Sequence, residues 1–176
     1  MSSEVTARQR VSVNWARFSR MPEAPDGALR NFDAEVELAD EVTGARRVVA
    51  TISGWLGWQA WLPELVDSGP PIAAAAASMA AAAIDVTDRL TLQPDTHIEA
   101  VLMVDQLTLV PKWVGTGMGR RIVEQLIDLL LLTPETTLVL SHIDRPASVY
   151  RNAGFEQWRD SGIWWARMGG VTRVET

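Results

Sequence analysis

Cysteine is absent from the 176 residues. That excludes disulfides, thiolate metal sites and a cysteine nucleophile, and leaves the redox compartment open. Histidine occurs only as His97 and His142, too few for a histidine-based metal site, so no metal is expected. Basic residues are in the minority: 16 Lys and Arg face 22 Asp and Glu, for a net charge of −6. A field of that sign favours cationic partners and disfavours nucleic acid. Long apolar runs are lacking too. The uncharged stretch from Gly69 to Ile84 is alanine-rich and falls short of the ~20 residues needed to span a bilayer. No basic start leads into an apolar segment, so no signal peptide is read and the cytoplasm is expected. The 47 % hydrophobic and 22 % charged residues are an ordinary globular composition. Residues 1–176 suit one domain with its own core.

Patterning places the elements. Residues 1–10 are polar and read as frayed, and Val11 to Phe18 alternates as a first strand. Ser19 to Asn31 carries two prolines and a glycine and reads as a loop with room for one short helical turn. Phe32–Leu38 and Arg47–Ile52 form a hairpin about the turn Glu41–Gly44. Trp55, Trp58 and Trp61 follow at spacings of three. They suit either an apolar acceptor pocket or dimer face, or the core, which holds most buried aromatics. Ser68 and Pro70-Pro71 open an alanine-rich helix to Leu90.

The most informative stretch is Val104 to Val123. A strand, Val101–Val110, stops at Pro111, three glycines follow at 115, 117 and 119, and an amphipathic helix, Gly117–Leu132, begins at once. The run Leu129 to Leu132 implies burial of that helix on more than one side. Strand, glycine-rich turn and helix together point free backbone N–H groups at an anion, and glycines let a phosphate approach them. A Walker loop would need Lys-Ser/Thr where Arg120-Arg121 stand, and a dinucleotide fingerprint would need glycine at 120. Further on come a strand Thr137–Ser141, a short helix opened by Asp144-Arg145-Pro146, and a hairpin of Phe155–Arg159 with Ile163–Met168. Trp164 and Trp165 must point to opposite faces of the last strand, one of them toward core and the other toward a dimer interface or acceptor pocket.

Val114-Gly115-Thr116-Gly117-Met118-Gly119 resembles the acyl-CoA loop Q/R-x-x-G-x-G/A of the GNAT superfamily of N-acetyltransferases, with Val114 departing at the first position. Asp105-x-Leu107-x-Leu109-Val110-Pro111 resembles that family's fourth strand, and Ala147 to Phe155, with Tyr150 and Gly154-Phe155, its A-x-x-x-Y-x-x-x-G-F segment. The resemblance covers about residues 98–168. It implies an α/β (α+β) fold with a mixed central sheet of about six to seven strands flanked by helices. It also implies acetyl transfer from acetyl-CoA to a primary amine, carried by a small molecule or a protein, by direct attack on the thioester. Pantetheine would lie along Leu107, Leu109 and Val110, with the N–H of Leu109 or Val110 polarising the carbonyl. The pyrophosphate would take Val114 through Gly119, and Arg120, Arg121 and Asn152 would complete the cofactor site. Tyr150 would be the acid. A family base near Met103 is missing, leaving Asp105, on the same face two residues on, Glu99 and His142. Trp55, Trp58 and Glu99 are the acceptor-site candidates. No nucleic acid, membrane or metal partner is expected, and a homodimer fits the tryptophans. The alternative is a domain of this fold that binds acyl-CoA or a protein with little turnover.

Overall fold

The structure is a computed structural model that describes residues 9–20, 29–40, 42–67, 74–94, 96–142 and 146–169. Seven strands among them form one sheet in the order β1-β2-β3-β4-β5-β7-β6. They are β1 (Gln9–Arg20), β2 (Leu29–Asp40), β3 (Arg46–Trp58), β4 (Ala100–Leu109), β5 (Thr137–His142), β6 (Glu156–Gln157) and β7 (Ile163–Arg167). All neighbours are antiparallel except β4 and β5. The sheet is therefore mixed, and the domain is α+β.

The helices α1 (Leu62–Asp67) and α2 (Ala74–Leu90) lie on one face of the sheet, and α3 (Met118–Leu129) and α4 (Ala147–Asn152) on the other. Two cores result. On the α3 side, Phe32, Ile52, Leu102 and Val139 pack against Ile122, Val123, Leu126 and Ile127. On the α2 side, Trp55, Val101, Met103, Leu138 and Leu140 meet Ala76, Met79, Ala80, Ala83 and Val86. Alanine is what lets α2 settle close to the strands, because its stub side chains add little thickness to the layer. No helix among the described residues is long and apolar enough to cross a membrane.

Several boundaries differ from the pattern reading. Gln9 and Arg10 belong to β1 rather than to a frayed end. β3 runs six residues past Ile52, because α2 covers its second half. Both faces are then buried, and the alternation that marks a half-exposed strand is lost. The four-leucine run is not buried throughout: α3 ends at Leu129, and Leu131, at φ 55, is 92 % exposed. β6 keeps only Glu156 and Gln157; Trp158 follows with its backbone N–H on the Ile163 carbonyl of β7 at 2.9 Å and its indole N–H donating to Asp85 Oδ2 on α2 at 2.6 Å. Arg159 adds a second bond to the same carboxylate, at 3.0 Å. Trp164 and Trp165 do take opposite faces, packing with the α3-side and α2-side cores respectively. The expected loop Ser19–Asn31 gives up Ser19 and Arg20 to β1 and Leu29–Asn31 to β2, where Ser19 pairs with Asn31 and Arg20 with Arg30; its residues 21–28, the helix start at 68–73, and Asp144 and Arg145 lie outside the described residues, as does the Trp61 side chain.

Candidate functional site

β4 and β5 run parallel from the pair Ala100–Thr137 to the pair Val104–Ser141 and then part. Among the described residues β4 continues to Leu109 with β3 as its sheet partner and has no pair with β5 beyond Val104, while β5 runs to His142. A cavity of ≈ 250 Å³ fills the fork. Its floor is Val104 and Ser141, one side is Leu107 and Leu109, and α3 and α4 close the rest.

A shift of register aims those two leucines. Ser53 pairs with Gln106 but Gly54 pairs with Val104, so Asp105 is one extra residue in β4. Such a bulge changes which face the following residues take. Leu102 and Val104 belong to the α3 side before it, and Leu107 and Leu109 pack on that same side after it. Gly54 is the partner that allows it, because a Cβ there would lie 1.9 Å from the Met103 carbonyl oxygen.

The glycine turn closes the outer end. Gly115 and Gly117 have φ of 79° and 78°, and a Cβ built on either meets nothing within 4 Å. Their left-handed backbone, rather than crowding, is what demands glycine. Gly117 caps α3, and no side-chain hydrogen bond from it satisfies the first N–H groups of the helix. Gly115, Gly117, Met118, Gly119, Asn152 and Tyr150 all line the cavity. Tyr150 is buried, stacked on Trp164 with centroids 4.9 Å apart and planes at 11°, and edge-on to Phe155.

Arg120 lines the cavity but is engaged. Its Nε donates to Glu124 Oε1 and its Nη1 to the Ala153 carbonyl oxygen, both at 2.9 Å. A Cβ on Gly154 would lie 2.9 Å from that Nη1. The side chain thus ties α3 to the end of α4.

Other expected site residues fall elsewhere. Asp105 sits at the bulge, so the alternation that would have placed it on the face of Met103 is broken there, and it does not line the cavity. His142 is exposed and alternates onto the face of Leu138 and Leu140, opposite Ser141. Glu99 precedes β4 at its far end, bonded to the Thr136 hydroxyl at 3.2 Å, and β4 is about 30 Å long at ~3.3 Å per residue. Trp55 is core under α2, and Trp58 pairs with Ala100 at that same far end. Val110 donates its N–H to the Val49 carbonyl at 2.9 Å and cannot serve as the carbonyl-polarising donor. Strand N–H groups alternate in direction, so that of Leu109 points at the fork. Val114, Thr116 and Arg121 are exposed beside the turn and do not line the cavity, and the Thr116 hydroxyl donates to the Trp113 carbonyl at 2.7 Å.

Pattern reading missed Ser141 and Trp113. Ser141 is buried, with its hydroxyl 3.4 Å from the Val104 carbonyl oxygen, and only the position of the fork identifies it. Trp113 lines the cavity from the 3-10 turn Pro111–Trp113, and its place immediately before the glycine turn was the available signal.

Fold and site together define an α+β domain built round a cleft at its parallel strand pair, with a glycine turn at one end and a buried tyrosine in its wall. No protein-family model, curated protein sequence or solved structure matches the chain.

Proposed function

We propose that the protein is an acyl-CoA-dependent N-acyltransferase of GNAT architecture that transfers acetyl from acetyl-CoA to a primary amine. The observation that carries this reading is the cavity beyond the last described β4–β5 pair, Val104 with Ser141, which the glycine turn and Tyr150 also line. An extended pantetheine arm fits there as a substitute strand beside Leu107 and Leu109. The open space over Gly115 and Gly117 suits a pyrophosphate taken by backbone N–H groups at the start of α3.

The amine nitrogen attacks the thioester carbonyl, the Leu109 N–H stabilises the oxyanion, and collapse expels the thiolate, to which the Tyr150 phenol gives its proton. The attacking amine must be neutral. Apolar walls assist, since desolvation disfavours the ammonium form. No carboxylate or imidazole among the described residues lines the cavity, so the proton leaves through water.

Titration calorimetry with acetyl-CoA, followed by thiol release with a panel of amines, tests the reading. Tyr150→Phe keeps the stack on Trp164 and should lower kcat about 100-fold with KM little changed. An unchanged kcat would remove Tyr150 from the mechanism. The lack of a base among the described cavity residues favours a second reading, an acyl-CoA-binding domain without turnover. Micromolar binding with no thiol release from any amine would select it.

A further inference from the structure

A second cavity, of ≈ 410 Å³, lies where the end of α2 meets β6 and β7. It shares a wall with the first. Along the turn from α4 to β6, Ala153 and Phe155 line the first cavity, while Gly154 and Glu156 line the second. Val86, Leu90 and Trp165 give the second cavity an apolar side. Glu156 is the cross-strand partner of Trp165, and Arg167 follows Trp165 by two residues, so all three share the α2-side face. Neither Glu156 nor Arg167 forms a salt bridge among the described residues. The Arg167 Nε is shielded from solvent without a hydrogen-bond partner there, and its Nη2 reaches only the Glu135 carbonyl oxygen, at 3.4 Å. Arg89, the other cation in the lining, is taken by Asp85, 3.5 Å from its Oδ2. α2 ends at Leu90, and the C-terminal end of a helix favours positive charge. A poorly matched guanidinium thus stands on one side of the cavity, an unpaired carboxylate and a helix C-terminus on the other, with apolar surface between.

We propose that this second cavity is an effector site for a free apolar α-amino acid, whose binding is felt in the first cavity through residues 153–156. The amino acid's carboxylate meets the Arg167 guanidinium in a charge-assisted pair. Its ammonium meets Glu156 at the end of α2, and its side chain lies on Val86, Leu90 and Trp165. The shared wall carries the signal. Arg120 Nη1 donates to the Ala153 carbonyl oxygen and lies 2.9 Å from where a Cβ on Gly154 would stand, and the Phe155 N–H donates to the Tyr150 carbonyl at 2.9 Å. A ligand against Gly154 and Glu156 therefore bears on the backbone that holds Arg120 and Tyr150. The coupling rests on the acyltransferase reading; the site itself does not.

Titration calorimetry of the parent protein with L-leucine, N-acetyl-L-leucine, L-leucinamide and glycine, without acetyl-CoA, tests the site. Each of the last three lacks one feature: the ammonium, the carboxylate or the apolar side chain. L-Leucine should bind about tenfold tighter than any of them. Because this comparison uses unmutated protein, misfolding cannot imitate it. Arg167→Gln should bring L-leucine down to the affinity of L-leucinamide, and Glu156→Gln to that of N-acetyl-L-leucine. Saturating L-leucine should change the acetyl-CoA dissociation constant about fivefold, and acetyl-CoA should change that of L-leucine by the same factor. N-acetyl-L-leucine binding as tightly as L-leucine would make the site one for a bare carboxylate and overturn the proposal, as would no binding of L-leucine at millimolar concentration. L-Leucine binding that leaves acetyl-CoA affinity unchanged overturns the coupling. Failure of acetyl-CoA to bind with or without L-leucine overturns the acyltransferase reading and leaves the amino-acid site standing.

Discussion

Gly54→Ala is the sharpest test of how the cleft is built. The new Cβ would sit 1.9 Å from Met103 O, 3.0 Å from Met103 C and 3.1 Å from Asp105 N. All three are backbone atoms of a central strand, so no side chain can swing aside, and β3 and β4 must separate by about 1 Å where they pair. Overpacking of this kind costs typically ~1–3 kcal/mol, and a backbone clash belongs at the upper end. Alanine returns ~0.5 kcal/mol by restricting the unfolded chain. A net loss of roughly 2.5 kcal/mol corresponds to a Tm lower by about 5–10 °C for a domain of this size. Relief by erasing the bulge is no escape, because it would turn Leu107 and Leu109 off the cavity face. Thermal unfolding by circular dichroism, paired with acetyl-CoA titration, reads both effects. Thr51→Ala, at an exposed site on the same strand, serves as control and should change stability by less than ~0.5 kcal/mol. A Gly54→Ala protein that melts within about 2 °C of the parent and binds as before would refute the account.

Arg120→Ala should cost about 1–2 kcal/mol, since it leaves the Ala153 carbonyl oxygen without its donor and unties α4 from α3; chemical denaturation measures it, and an unchanged midpoint would show the tie to be inert. Asp85 is held below the usual aspartate value of 3.8, first by the Trp158 indole N–H and then by Arg159 and Arg89. A carboxylate with a lowered folded pKa stabilises above its unfolded pKa and loses that contribution as pH falls through the folded one. The parent should therefore lose stability below about pH 4 more steeply than Asp85→Asn, whose side chain does not titrate; parallel acid limbs of Tm against pH would remove Asp85 from the clamp.

What sequence patterning could reach depended on how local each signal was. The strand, the left-handed glycines and the amphipathic α3 are contiguous, and their chemistry is written in about twenty neighbouring residues. β2 was equally plain, because one of its faces is apolar and the other polar from Phe32 to Leu38. The face of Asp105 was not. It depends on Gly54, some fifty residues earlier, being the one residue type that lets the Met103 carbonyl approach so closely. Counting by two from Met103 assumes an unbroken strand, and the bulge removes that assumption at the residue being placed. His142 failed for a different reason. Its type suits a general base, but orientation is set by parity along β5, which gives the cavity to Ser141.

The fork has a further physical consequence for where polar groups can be tolerated. Where two parallel strands part, a buried backbone group that faces the gap without a partner is costly. The cost is bearable only if an outside strand, water or an extended ligand supplies the bonds. Leu109 directs its N–H into this gap while its side chain packs with the core. Val110, one residue on, has returned to β3 through the Val49 carbonyl. The fork-facing N–H of Leu109 therefore lies where the glycine turn begins. A ligand that satisfies it must present an acceptor there and carry its anionic end to the start of α3. An acylated pantetheine linked to a pyrophosphate meets both demands. A compact apolar ligand would fill the cavity but leave that N–H unmatched, so displacement of bound acetyl-CoA by a hydrocarbon of equal volume should fail.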